Sequence, residues 1–113
     1  MLEIEKDLTI NISYGDILDV TFNITGLTIN QDAEFYISIK KSLHDEDCAY
    51  IKQLSFIDFE KNSVRIVIES ADMEQFTVGK YYYDLVYKVE GNRRTLNYPA
   101  RLVVREVVHD EWS

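Results

Sequence analysis

One eleven-residue segment in the second half of the chain constrains the fold more than any other feature. From Gly79 to Val89, positions 81, 83, 85, 87 and 89 are aromatic or aliphatic and positions 80, 84 and 88 are charged, which is the two-residue period of a strand with one buried face. The polar triplet Glu90-Gly91-Asn92 follows at once, and such residues are typical of a turn between paired strands. The segment therefore predicts a long strand that runs into a hairpin.

The same alternation recurs in shorter blocks along nearly the whole chain. Polar or glycine-containing turns separate these blocks, so each block predicts one strand. The proline within the last block lacks the donor that a sheet ladder needs, which predicts an edge or a bulge at that point. The predicted strands cover residues 8–12, 18–24, 35–39 and 64–68, the segment 81–89, a weaker block at 49–59, and a last block at 95–108 that Pro99 interrupts.

Only residues 70–76 have a helical pattern. Ser70 is a residue type that caps helices, and Asp72 and Glu74 are placed favourably for the positive end of a helix dipole. Tyr81 follows this corner by a few residues, and in immunoglobulin-like domains a tyrosine near the start of the sixth strand hydrogen-bonds back to the preceding loop. We therefore expect Tyr81 to make this contact.

The number and spacing of the strands indicate the fold class. About seven short strands with one helical turn are typical of an all-β, immunoglobulin-like antiparallel β-sandwich. The length of 113 residues fits a single domain covering residues 1–113. The chain has one cysteine, Cys48, which excludes an internal disulfide of the antibody type.

Composition narrows the classes of partner. The net charge is −8, from 20 acidic and 12 basic residues, and such a chain repels a phosphate backbone, so no nucleic-acid partner is expected. The longest apolar runs are too short to span a bilayer, so no membrane partner is expected. Residues 1–7 lack the pattern of a secretory signal, which predicts synthesis and folding in a cytoplasm.

No motif for catalysis or cofactor binding stands out. The chain has no glycine-flanked serine, no zinc-protease motif and no phosphate-binding glycine loop, so we expect no enzyme, no catalytic residue and no cofactor. The cluster from His44 to Cys48, with its acids Asp45–Asp47, lacks the spacing of calcium or zinc sites and predicts a solvated loop without metal. The alternating pattern predicts that Asp84 is an outward-facing charge on its strand. The alternative is that Asp84 acts as an acid with a raised pKa.

Aromatic side chains supply the candidate partner-binding residues. Tyr81, Tyr83 and Tyr87 share one face of their strand and are predicted to be core, whereas Tyr82 and Tyr36 are out of phase with the apolar positions of their strands. Exposed aromatic side chains on a small domain often mark a contact site. Tyr36, Tyr82 and the near-terminal Trp112 are therefore the predicted partner-binding residues.

Four segments together resemble a known group of proteins. They are Gly15-Asp16 with the strand to Phe22, residues 35–41, the strand entry Gly79-Lys80-Tyr81-Tyr82-Tyr83-Asp84-Leu85, and residues 102–104. The chain resembles, from about residue 7 to residue 108, the small immunoglobulin-like proteins of tailed bacteriophages and prophages of Gram-positive bacteria, including the N-terminal domains of baseplate upper proteins. The resemblance implies a non-enzymatic component of the virion that self-associates or docks on other tail, baseplate or neck proteins.

These features together predict a structural or interaction module, with other phage structural proteins as partners and a homo-oligomer as a further possibility. Because the sequence ends with the predicted domain, a decoration, adaptor or assembly role is expected rather than the adsorption device. Two alternatives stay open: a carbohydrate- or ligand-binding module that uses the same tyrosines for stacking, and a small acidic inhibitor of a host protein. Fold alone does not separate these functions.

Overall fold

The computed structural model describes residues 2–42, 50–96 and 100–106. In this part of the chain ten strands form two sheets, and one helix of four residues lies between the seventh and eighth strands. The elements are β1 (Leu2–Ile4), β2 (Ile10–Ser13), β3 (Leu18–Asn23), β4 (Glu34–Lys40), β5 (Tyr50–Leu54), β6 (Phe56–Asp58), β7 (Ser63–Ile68), α1 (Ser70–Met73), β8 (Gly79–Val89), β9 (Asn92–Thr95) and β10 (Ala100–Arg105).

The two sheets differ in size. The large sheet has the order β1-β2-β10-β8-β4-β5, with β9 paired to the other half of β8, and the small sheet has the order β3-β7-β6. These sheets pack face to face, which confirms the all-β, immunoglobulin-like sandwich. Two details of the prediction were wrong. The described residues contain ten strands rather than about seven. The pair β2 and β10 is parallel, so the large sheet is not wholly antiparallel.

The core lies between the sheets and follows the alternation of the strands. Inward positions of β3, β4, β7, β8 and β10 are almost fully buried, and each large aliphatic or aromatic side chain there contributes about 1.5–3 kcal/mol by leaving water. Tyr81, Tyr83 and Tyr87 belong to this core, as predicted. The hydroxyl of Tyr83 also donates a hydrogen bond to the carbonyl of Leu8 at 2.5 Å, which ties the start of β2 to the middle of β8.

The weak block at 49–59 forms two strands in different sheets. β5 pairs with β4 in the large sheet, β6 pairs with β7 in the small sheet, and a single residue, Ser55, separates them. Strands that change sheets at a corner are common in sandwiches. The sequence pattern is weak here because neither strand is longer than five residues.

The long strand β8 shares one edge between two partners. β9 pairs with residues 86–89 and β10 pairs with residues 79–83. Pro99, where an edge or a bulge was predicted, lies outside the described residues. The hairpin turn lies within the predicted triplet, at Glu90 and Gly91. Val89 pairs with Asn92, and Glu90 and Gly91 have φ values of 52° and 79°, as a two-residue type I′ turn requires.

The helical corner confirms one prediction and corrects another. The hydroxyl of Tyr81 donates to the carbonyl oxygen of Thr77 at 2.9 Å, which is the predicted contact with the preceding loop. Ser70 does not cap α1, since the capping position is Glu69 and no side chain makes a capping hydrogen bond. The corner is instead fixed by Phe76, whose ring packs edge-on against Tyr50 and Tyr81.

Candidate interaction surface

The outer face of the large sheet concentrates basic side chains. The pairing register places the even-numbered residues of β4 and β8, and the odd-numbered residues of β9 and β10, on this face. Six of the 12 basic residues of a chain with net charge −8 lie there. We call this surface the basic face. Its Lys and Arg residues are Lys40, Lys80, Lys88, Arg93, Arg101 and Arg105.

Tyr36 and Tyr82 lie on the basic face and are half-buried, so their predicted position outside the core is confirmed. The hydroxyl of Tyr36 donates to Glu34 at 2.7 Å, and this hydrogen bond raises the pKa of the tyrosine. The ammonium group of Lys88 lies 5.0 Å from the centre of the Tyr36 ring, a cation–π geometry. Tyr36 is thus held in place, while Trp112, the third predicted residue, lies outside the described residues.

Tyr82 stands between two basic residues. It pairs with Lys40 of β4 on one side and with Arg101 of β10 on the other. Next to this row, Ile51 of β5 faces outward opposite Ser38 and is 60% exposed. The basic face therefore combines aromatic and aliphatic contact area with positive charge, which is the mixture found at protein interfaces enriched in Tyr and Arg.

Polar contacts order one end of the basic face. Asn11 of β2 is only 8% exposed although it points away from the core. Its side-chain oxygen accepts hydrogen bonds from Nε and Nη2 of Arg105 at 3.2 and 2.9 Å, and its amide nitrogen donates to Glu5 at 2.9 Å. Arg105 is therefore fixed by its neighbours, whereas the remaining basic side chains of the face are not held by this network.

Asp84 is the anomalous residue of the basic face. It is the outward charge that the sequence predicted, but it is half-buried, and its Oδ1 is shielded from solvent without a hydrogen-bond partner among the described residues. Burial raises the pKa of this carboxyl, and the nearby charges of Lys40 and Arg93 oppose the rise only in part. A buried carboxylate oxygen without a hydrogen-bond partner lowers the free energy of unfolding. Ionisable groups with shifted pKa values are often found at functional sites.

We expect Asp84→Asn to raise the free energy of unfolding at pH 7 by about 1 kcal/mol, because an uncharged amide loses less on burial. A raised folded-state pKa means that the folded protein holds a proton that the unfolded chain releases. The stability of the natural chain should therefore fall as pH rises from about 3.8, the ordinary value, through the folded-state pKa.

Thermal unfolding of the natural chain and of Asp84→Asn between pH 4 and pH 8 measures this effect. The matched control is Asp32→Asn, since Asp32 is exposed in the loop between β3 and β4. Equal pH dependence in all three proteins would contradict the assignment to Asp84.

The edge of the large sheet is less suited to docking than its face. Lys52 of the edge strand β5 points inward, opposite Ile37, and its ammonium donates to the carbonyl of Val67 in the small sheet at 2.6 Å. Inward-pointing charges on edge strands discourage pairing with another chain. The last strand, β10, is not an edge, because it has β2 on one side and β8 on the other.

Other kinds of site find little support in the described part of the chain. Residues 2–42, 50–96 and 100–106 contain no group of three or more side chains placed to hold a metal ion, and the acidic loop at Asp45–Asp47 lies outside them. Within the same ranges, no helix has the length and apolar character needed to cross a membrane.

The sequence predicted the outward position of Tyr36 and Tyr82 but not the basic face as a unit. The net negative charge of the chain gives no indication that half of its basic residues share one surface. The signal was nevertheless present, because Lys80 and Lys88 have the same phase as Tyr82 in the alternating strand. The alignment of Arg101 with this row depends on pairing between β8 and β10, which no local pattern specifies.

Comparison with known proteins gives the fold but no family. No protein-family model and no curated protein matches the chain. The chain is similar to a solved structure of a putative glycoside hydrolase from Bacteroides vulgatus ATCC 8482, with a TM-score of 0.50 and 13% identity over 88% of this chain and 17% of that one. An uncharacterized protein from Bacillus anthracis str. Ames matches with a TM-score of 0.44 and 18% identity, over 84% of this chain and 76% of that one.

These similarities have a limited meaning. The chain spans less than a fifth of the Bacteroides protein. At 13% identity the likeness shows a shared β-sandwich architecture, and architecture of this kind hosts many unrelated functions. The described residues therefore form an immunoglobulin-like sandwich whose most distinctive surface is the basic face.

Proposed function

We propose that the protein is a non-catalytic interaction module, a component of a phage or prophage virion that docks on another structural protein through the basic face. The partner surface should be acidic around an apolar centre. The phage context comes from the resemblance of the strand-entry segments, and the docking surface comes from the geometry of the large sheet.

The observation that supports this proposal most strongly is the placement of half of the basic residues on one face of an acidic protein. The face carries six basic residues against the acidic Glu34 and Asp84, and such an excess of positive charge steers a complementary partner and fixes its orientation. Tyr36, Tyr82 and Ile51 add the apolar contact area that charge alone does not supply. Asp84 fits the same surface, because a donor from the partner would satisfy its Oδ1, which has no hydrogen-bond partner among the described residues.

The test has two parts. Quantitative mass spectrometry of particles induced from the strain that encodes the chain should find it at a fixed ratio to the major tail protein. Particles from a strain carrying Tyr36→Ser with Tyr82→Ser should contain at least about tenfold fewer copies, since hot-spot aromatic residues contribute 2 kcal/mol or more. The matched control is Phe56→Ser with Phe59→Ser, which removes two exposed rings elsewhere.

The outcomes separate the possibilities. Loss from the particle in the tyrosine variant alone, with an unchanged melting temperature, supports docking through the basic face. Absence of the natural chain from particles that form contradicts the virion role. Equal incorporation of both variants would contradict the docking surface while leaving the virion role in place.

A second candidate function, carbohydrate binding, is favoured by the outer face of the small sheet. Phe56 is 54% exposed there, and Arg65, which pairs through two hydrogen bonds with Asp19, lies 5.4 Å from the ring centre. An exposed ring beside an ordered charged pair can stack on a sugar and bind its hydroxyls. Saturable binding to a glycan panel that is lost in Phe56→Ala would favour this function over protein docking.

A further inference from the structure

We infer that the end of the sandwich beside the β8–β9 hairpin is a binding site for a small amphipathic anion, in which a carboxylate is joined to an apolar body. A cavity of about 410 Å³ opens at this end, which is within the size range of ligand sites. This inference does not depend on the proposed docking through the basic face. The cavity is lined by Leu27, Tyr87, Val89, Asn92, Arg93 and Arg94.

The inner wall of the cavity is apolar and already ordered. Tyr87 is 5% exposed and its ring packs edge-on against Phe35 with centroids 5.2 Å apart. The Tyr87 hydroxyl accepts a hydrogen bond from the backbone nitrogen of Asn30 at 3.1 Å, which joins the wall to the loop that carries Leu27. A preformed wall reduces the ordering that binding would otherwise require.

The mouth of the cavity is cationic. Arg94 pairs with Tyr87 across the β8–β9 ladder and so has the phase of the core positions, where the alternation calls for an apolar side chain. Arg94 is nevertheless exposed, because the sandwich is open at this end. Within the described residues, Arg94 forms no ion pair although the protein carries an excess of eight negative charges, whereas the charge of Arg93 acts on the carboxylate of Asp84.

The chemistry of the lining selects the ligand class. A guanidinium group presents a planar fork that matches a carboxylate or phosphate in two parallel hydrogen bonds. Leu27 and Val89 would contact hydrocarbon behind that anionic group, so a bare inorganic anion leaves the apolar wall unused. The matching ligand is either the carboxyl-terminal residue of a peptide or a free small organic acid, which share this chemistry.

Arg94 has one competing explanation. β9 pairs with β8 alone among the described strands, and an inward-pointing charge on such a strand can serve only to prevent pairing with another chain. That role predicts no ligand and no difference between acids and amides. A pair of probes that differ only in the carboxylate separates the two explanations.

The experiment is a methyl-detected NMR titration of the full chain that follows Leu27 and Val89. The probes are N-acetyl-leucine, its amide N-acetyl-leucinamide, and inorganic phosphate. We expect saturable shifts with N-acetyl-leucine at a Kd in the millimolar range, which suits a ligand of this size, and binding at least about tenfold weaker for the amide, as loss of a charge-assisted pair implies. Inorganic phosphate alone should produce no saturable shift of the Leu27 and Val89 methyl signals.

Variants complete the test. Arg94→Gln should weaken the binding of N-acetyl-leucine by at least about tenfold, and Arg94→Lys, which keeps the charge without the fork, should weaken it by less. The control is Lys6→Gln, which removes an exposed basic residue of the turn between β1 and β2, outside both the cavity and the basic face, and should leave binding unchanged. Equal shifts with the acid and the amide would overturn the inference. So would unchanged binding in Arg94→Gln, provided that the spectrum of this variant matches that of the natural protein.

A last comparison identifies the source of the ligand. A tetrapeptide that ends in leucine adds backbone contacts beyond the carboxylate. Tighter binding of the tetrapeptide than of N-acetyl-leucine assigns the site to a peptide terminus, whereas equal affinity assigns it to a free small acid.

Discussion

Replacing Asn62 by alanine is expected to lower the free energy of unfolding by about 3 kcal/mol, because half-buried groups lose their hydrogen-bond partners and a strained backbone remains. The side chain of Asn62 holds the loop between β3 and β4 by three hydrogen bonds. Its oxygen accepts from the nitrogen of Ile29 at 2.8 Å, and its amide donates to the carbonyls of Ile24 and Leu27 at 2.7 and 2.6 Å.

The backbone of Asn62 adds to this expected loss. Its φ is 54°, a left-handed conformation that asparagine tolerates better than alanine does. A chain of 113 residues loses roughly 4 °C in melting temperature for each kcal/mol, so Asn62→Ala should melt about 12 °C below the natural protein.

Two controls divide the effect of Asn62 into its parts. Asn62→Gly removes the same three hydrogen bonds but accepts the positive φ, so it should be about 1 kcal/mol more stable than Asn62→Ala. Asn23→Ala changes an exposed asparagine of β3 and should leave the melting temperature within about 2 °C. A loss in Asn62→Ala no larger than that in Asn23→Ala would contradict the bridging role.

The second large effect is expected at Phe76, where alanine should cost about 3–5 kcal/mol, the usual range for removing a fully buried phenylalanine. Phe76 is 2% exposed. Its ring lies edge-on to Tyr50 and Tyr81 with centroids 5.7 and 5.3 Å apart, so the substitution removes the contact between the helical corner and the large sheet as well as apolar area.

Urea unfolding at 25 °C measures the Phe76 effect, with Phe56→Ala as the matched control, since the Phe56 ring is 54% exposed. Phe56→Ala should cost less than about 1 kcal/mol. Because native stability is commonly 5–15 kcal/mol, the loss in Phe76→Ala should remove a large share of the stability and shift the urea midpoint well below that of the natural protein. Similar losses in the two variants would mean that the corner does not depend on this ring.

The strands themselves were largely predictable, for a reason visible in β8 and β3. Apolar side chains recur at every second position of both strands, and this period places Tyr83 or Val20 in the core whichever strand pairs alongside. Short elements lack enough residues to establish a period. β1, with three residues, was not predicted, and β5 and β6 were merged into one block.

The Tyr81 contact shows how a local signal can reach beyond its own strand. The hydroxyl and its acceptor on Thr77 are four residues apart, so the sequence spacing nearly determines their distance. Ser70 shows the limit of the same reasoning. A capping residue type was present, but the chain turns one residue earlier and Glu69 takes the capping position.

The sequence by itself determined which residues of each long strand face the core, and so placed Tyr36 and Tyr82 outside it. Only the tertiary structure decided that Lys40, Tyr82 and Arg101 form one row, because strand pairing joins Tyr82 to residues 42 positions before it and 19 positions after it. Side-chain alternation is a local property of an extended backbone, whereas the order of strands in a sheet depends on long-range packing. The basic face and the cavity beside Arg94 are products of that packing.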